Sequence, residues 1–224
     1  MSEWWTYRPS DLLMFAPRTY WRLFELHNES LWPIQVLTAL LAIFLAVALW
    51  TGRTGAVRAG LAVLAACWAL VAWTFLWQRY APINPAAGAF AMGFALQAVA
   101  ILVLSLAGSL RVVNDVARQR TGLAFVTWAA FLHPWLAAIT GRPGSQAEFF
   151  GLAPDPTAIG TLGVLLCITS GHRAVRSLLA TAWGVALIWC AISAATLWTM
   201  GAAEGWVSAL CAALAVAVLA RRRA

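Results

Sequence analysis

The chain has 224 residues, of which 62% are hydrophobic and 10% charged, a balance outside the range of soluble domains and suited to a bilayer as solvent. All 15 basic residues are arginine, which excludes any chemistry that needs a lysine Schiff base, retinal and pyridoxal phosphate among them. The net charge of +7 comes from arginines in short loops between apolar runs, where they act as topology signals, so nucleic acid is not an expected partner.

The first thirty residues are rich in Trp, Tyr and charges and lack the apolar h-region of a cleavable signal, so they are expected to stay in the mature protein. Pro17 suits the first position of a short helix. On that helix Arg18, Arg22, Glu25 and Glu29 follow i, i+4, i+7, i+11 and form a charged stripe, with Tyr20, Leu23, Phe24 and His27 opposite. Residues 1–30 are therefore read as an interfacial segment. Its amphipathic helix is expected to lie flat at the interface with its apolar face against lipid or the bundle, as an anchor that caps the bundle, or else to act as a lid or, through Tyr20, Arg22 and Phe24, to dock a partner.

Residues 31–224 read as a transmembrane domain. Charges are costly in hydrocarbon, and a crossing helix needs about 20 apolar residues. The uncharged gaps hold 23 residues after Glu29, 20 after Arg58, 31 after Arg79, 21 after Arg120, 17 after Asp155, 27 after Arg176 and 16 after Glu204. The expected fold is an all-α polytopic bundle of seven spans near 31–50, 59–77, 86–107, 121–140, 156–171, 177–200 and 205–220. A re-entrant fifth segment would leave six. Seven spans put five arginines on the N-terminal side and ten on the other, which places the N-terminus outside and the C-terminus in the cytoplasm of a bacterial inner membrane.

Between spans four and five, His133, Arg142, Glu148, Asp155 and Thr157 gather in a stretch with four prolines and several glycines. Pro134 breaks a backbone hydrogen bond to the carbonyl near Ala130. Asp155 before Pro156 reads as an N-cap with proline at N1, and Gly160 and Gly163 allow close helix approach. A short helix starting at a polar loop can present its N-terminus to a solute. Together with Gln97, the deepest strongly polar side chain, these residues form the candidate binding set; solvation, capping and hydrogen bonds within the protein account for them at least as well.

Two stretches, EWWTYRPSD with APRTYWRLFELHN (Glu3 to Asp11, Ala16 to Asn28) and FGLAPDPTAIGTLG (Phe150 to Gly163), resemble an uncharacterised family of bacterial integral-membrane proteins, a domain of unknown function. The resemblance implies a class and no mechanism.

The four cysteines lie in apolar runs without a CxxC pair, only His133 falls inside a span as a haem ligand would, and HExxH and GxSxG are missing. No catalytic residue, metal or cofactor is therefore expected. The leading expectation is an uncoupled transporter or binding protein for a small neutral solute, opening on the outer face between the N-terminal helix and the segment from His133 to Thr157. An accessory or assembly subunit of a larger membrane complex comes second and a membrane-embedded enzyme third. Ala180 and Gly184 would suit packing in a homo-oligomer.

Overall fold

A computed structural model describes residues 13–221; the EWWTYRPSD stretch, Arg222 and Arg223 lie outside them. The fold is an all-α bundle. Helix α1 (Pro17–Leu31) has proline at N1, as expected, and leads into α2 (Ile34–Thr51), which ends at Gly52 in the left-handed conformation, φ 65°. Helix α3 (Thr54–Leu70) continues as a π-helix over Val71–Tyr80. There the Thr74 hydroxyl donates to the Leu70 carbonyl at 2.7 Å, and the ladder closes with Ala81 N donating to Leu76 O. After α4 (Ala87–Leu106) and the short strand β1 (Leu110–Val112), α5 (Val116–Thr127) begins on Asp115, whose carboxylate accepts from Arg118 N.

Pro134 acts as its chemistry requires. The missing N–H and the clash with the carbonyl four residues back widen the helix into a π turn at Trp128–Leu132, then tighten it to a 3-10 turn at His133–Trp135, before α6 (Leu136–Ile139). A loop with a 3-10 turn at Gly144–Gln146 leads to α7 (Pro154–Leu166), strand β2 (Ile168–Ser170), α8 (Arg173–Thr199) and α9 (Trp206–Ala220).

Among the described residues, six helices are long and apolar enough to cross a membrane: Ile34–Thr51, Thr54–Tyr80, Ala87–Leu106, Val116–Ile139, Arg173–Thr199 and Ala203–Ala220. They turn Leu37, Leu40, Val47, Leu96, Val99 and Ile188 outward, an exterior that belongs in hydrocarbon. Helix α7 differs in kind. Its 13 residues are all buried and span about 20 Å, short of a hydrocarbon core of about 30 Å. It is packed against α3, α5, α8 and α9.

Strand β2 pairs antiparallel with β1, Leu110 opposite Ser170 and Val112 opposite Ile168, so α7 ends at the same face of the bundle as α4. This sheet end carries Arg53, Arg58, Arg111, Arg118, Arg120, Arg173, Arg176 and Arg221; the α1 end carries Arg18, Arg22, Arg79 and Arg142.

Enclosing a helix on every side demands that some neighbour come very close. Gly122 on α5 and Gly163 on α7 meet backbone to backbone: a Cβ built on Gly163 would stand 2.5 Å from the Gly122 carbonyl oxygen and 2.8 Å from Phe125 Cβ. Neither atom can yield without parting the helices. Gly163→Ala is therefore expected to cost about 1–3 kcal/mol and to lower the thermal unfolding midpoint in detergent. Gly184→Ala, at a site with nothing within 4 Å, should leave the midpoint unchanged; equal behaviour of the two variants would contradict this packing.

Candidate functional site

Helix α1 packs on the bundle. Its apolar face lies on the bundle, with Phe24 stacked on Phe75 at 4.5 Å, Tyr20 edge-on to Tyr80 at 5.5 Å and His27 edge-on to Phe75. Phe24 is 1% and Tyr20 6% exposed, which corrects the expectation that these two dock a partner: the surface they meet is the protein's own π-helix. Arg22 does face outward and pairs with Glu25 one turn on.

His27 Nε2 meets the Leu152 carbonyl at 3.1 Å; a carbonyl only accepts, so Nε2 carries the proton. Burial, followed by the charge of Arg79, lowers the His27 pKa to about 4.

The loop that joins α6 to α7 is held under this helix. Asn28 donates both amide hydrogens, to Ser145 O and Ala147 O, each at 2.8 Å. Arg142 pairs with Glu204 just before α9 and lies 3.5 Å over the Trp21 ring. His133 and Glu148, both buried, face each other with Nε2 and Oε2 3.6 Å apart.

Asp155 departs from the expected N-cap. Helix α7 starts two residues earlier, with Ala153 at the cap and Pro154 at N1. Proline has no N–H, so Pro154 and Pro156 remove two of the four donors a helix start leaves over, and Ala153 N donates to Phe149 O at 2.8 Å. This N-terminus is buried and largely satisfied. It is not presented to a solute.

The freed carboxylate instead accepts from Trp189 Nε1 at 2.8 Å, from the Ser193 hydroxyl and from Ser208 Oγ at 3.3 Å, tying α7 to α8 and α9. Thr157 stays inside its own turn, accepting from Gly151 N at 2.9 Å and donating to Ala153 O. Gln97 lies apart from this group. It donates to Ala182 O at 2.9 Å, two turns or about 10 Å along α8 from Trp189.

So His133, Arg142, Glu148, Asp155 and Thr157 do gather around the α6–α7 loop and the start of α7, largely engaged with the protein itself. A different space is open beside them. A cavity of about 550 Å³ lies at the bend between α1 and α2, walled by Glu29, Trp32, Gln35, Ala39, Phe149 and Phe150. It sits between the N-terminal helix and the α6–α7 loop.

Gln35 was missed as a site residue. The available signal was a lone amide in the first turn of an otherwise apolar helix. Its Nε2 donates to Asn28 O at 2.9 Å, while its Oε1 is buried with no hydrogen-bond partner among the described residues. Behind the cavity the chain is close-packed: a Cβ on Gly151, φ 78°, would stand 2.9 Å from Cys67 Sγ and 3.0 Å from Thr38 Cγ2.

Two outcomes follow for the structural groups. Asp155→Ala should lower stability by about 1–3 kcal/mol because it strands the buried Trp189 N–H, and Asp155→Asn, which keeps an acceptor, should cost less; the reverse order in thermal unfolding would contradict the assigned bonds. For His27, the folded state favours the neutral ring, so its contribution is complete above about pH 6.5 and is lost as the pH falls toward about 4. Thermal unfolding of the wild type, compared with His27→Gln across that window, should show a loss on the order of 3 kcal/mol in the wild type alone.

No curated protein and no solved structure is significantly similar to this chain. A family model described as a family of unknown function, DUF6064, matches residues 18–224, from the first turn of α1 through the last span. The chain belongs to that family.

Proposed function

We propose that this protein binds a small amphipathic solute in the cleft between the α1–α2 bend and the α6–α7 loop. One observation carries the reading: Gln35, 8% exposed, lines a cavity of about 550 Å³ and leaves its Oε1 without a partner. Other buried side-chain atoms also lack a partner, among them Gln97 Oε1 and His133 Nδ1, but that of Gln35 belongs to a residue on this cavity's wall, which makes it a place for a ligand. The volume falls within the usual range for small-molecule pockets, and the wall combines aromatic rings with a few polar groups. The tight packing of Gly151, Cys67 and Thr38 behind the cleft favours binding and release on one side over passage through the bundle.

The membrane orientation belongs to the same proposal. Of the described arginines, eight lie at the sheet end and four at the α1 end, so the positive-inside rule puts the sheet end in the cytoplasm and the cleft outside a bacterial cytoplasmic membrane.

The four native cysteines are buried, which makes an introduced thiol a clean reporter. Ala39→Cys should react with a neutral methanethiosulfonate in zwitterionic nanodiscs, and 4-phenylbutanol or 4-phenylbutylamine should slow that reaction at least fivefold. The reaction of Gly184→Cys on the outer side of α8 should be unaffected. If neither compound protects Ala39→Cys, the cleft is not a binding site. In intact cells Ser145→Cys should label with an impermeant maleimide and Gly171→Cys should not; the opposite pattern overturns the orientation.

A further inference from the structure

The geometry points to a protonated organic amine as the class of solute this cleft selects. The inference rests on the cleft being a binding site and adds the charge of what it holds.

Three of the hydrogen-bonding groups on the wall, Asn28, Thr38 and Gln35, turn donors inward, while Ser145 and Trp32 keep a hydroxyl and an indole N–H at its exposed edge. Asn28 uses both amide hydrogens on Ser145 O and Ala147 O. Thr38 donates its hydroxyl hydrogen to Gln35 O at 3.0 Å. Gln35 donates through Nε2 to Asn28 O, which can only accept, and this bond fixes the amide so that Oε1 is the atom left over.

The buried atom left over on this wall is therefore an acceptor. Glu29 adds a carboxylate at the exposed rim, and Trp32 and Phe149 add aromatic rings, whose quadrupoles attract cations. No arginine or histidine lines the cleft among the described residues. Arg79 reaches the same turn of α1 but donates to Ser30 Oγ at 2.7 Å and is not part of the wall.

An anion entering this space would meet a carboxylate and find few donors. A neutral alcohol would satisfy Gln35 Oε1 and gain little from Glu29 or the rings. An alkylammonium satisfies all three, because it carries only donors and a positive charge. An aliphatic or aromatic tail then fills the apolar floor at Ala39 and Ala130, displacing water from surface that has no polar use for it.

The test compares two probes of nearly equal shape, 4-phenylbutylamine and 4-phenylbutanol, against the full-length protein in nanodiscs of phosphatidylcholine, with binding read by protection of Ala39→Cys. The amine, with a pKa near that of lysine at about 10, is charged at pH 7. It should protect at concentrations at least tenfold lower than the alcohol. Glu29→Gln, a change at an exposed residue that should leave the fold intact, should remove most of that tenfold advantage, read as the ratio of the two probes on the same variant. Raising the ionic strength should shrink the advantage in the wild type and have no effect in Glu29→Gln.

Equal protection by both probes overturns the charge selectivity and leaves the cleft standing as a neutral-solute site, and an advantage that survives undiminished in Glu29→Gln overturns the role given to that carboxylate. Protection by neither overturns the cleft itself. The two failures are thus distinguishable in one experiment.

Discussion

The close approach of Gly122 and Gly163 governs the rest of this structure. Inside a bilayer protein there is no hydrophobic drive between helices, so association relies on how near backbones can come and on hydrogen bonds across the gap. A helix with every side buried needs such contact all around. α7 meets the demand with glycine toward α5, with Gly160 beneath the Phe150 ring, and with polar ties toward its other neighbours: Thr161 accepts from Trp68 of α3, and Asp155 accepts from α8 and α9. Once α7 is fixed, its ends place the loops. Its start pins the α6–α7 loop at the α1 end, and its exit forms the small sheet with β1 at the other.

That loop in turn decides what α1 does. The α1 face of Tyr20, Trp21, Phe24 and His27 finds its apolar partner in the bundle and its polar partners in the loop: Leu152 O for His27, the Arg142 guanidinium for Trp21. The helix then cannot peel away without stranding a neutral buried histidine and exposing four rings. What α1 leaves open is the wedge where the chain bends into α2 at Pro33, and the cleft forms there because Asn28 holds the loop back by its carbonyls instead of letting it close over Gln35.

Much of this was legible in the residues. Charge spacing located the long apolar helices, Pro134 announced the break in the fourth long helix, the i, i+4 pattern separated the two faces of α1, and the glycines of α7 announced close packing. Which surface an apolar face meets is another matter. Tyr20 and Phe24 look the same in sequence whether they cover the bundle or await another protein, since the pattern records hydrophobicity and not the neighbour. Asp155 shows the same limit for polar groups: an aspartate before a proline has the chemistry of a cap, but the second proline two residues earlier moves the helix start and hands the carboxylate to Trp189, 34 residues away. Arg142 and Glu204 are 62 residues apart, and no local rule joins them.

Of the residues chosen for their chemical type, Asp155 and Arg142 proved to be bonded to the bundle and His133 lies against Glu148, while the cavity wall carries its spare capacity on a glutamine, Gln35. There is a physical reason for this reversal. In a low-dielectric interior a charged side chain must be paired for the fold to tolerate it, so the conspicuous residues of a membrane bundle are the ones most completely absorbed by structure. A neutral amide carries a smaller penalty and can be left half satisfied, which lets Gln35 spend one end on Asn28 and hold the other in reserve. A cleft that must bind and release a solute without unbalancing its own fold is better built on such a group than on a bare buried charge, with the full charge of Glu29 kept at the rim where water can screen it when the cleft is empty.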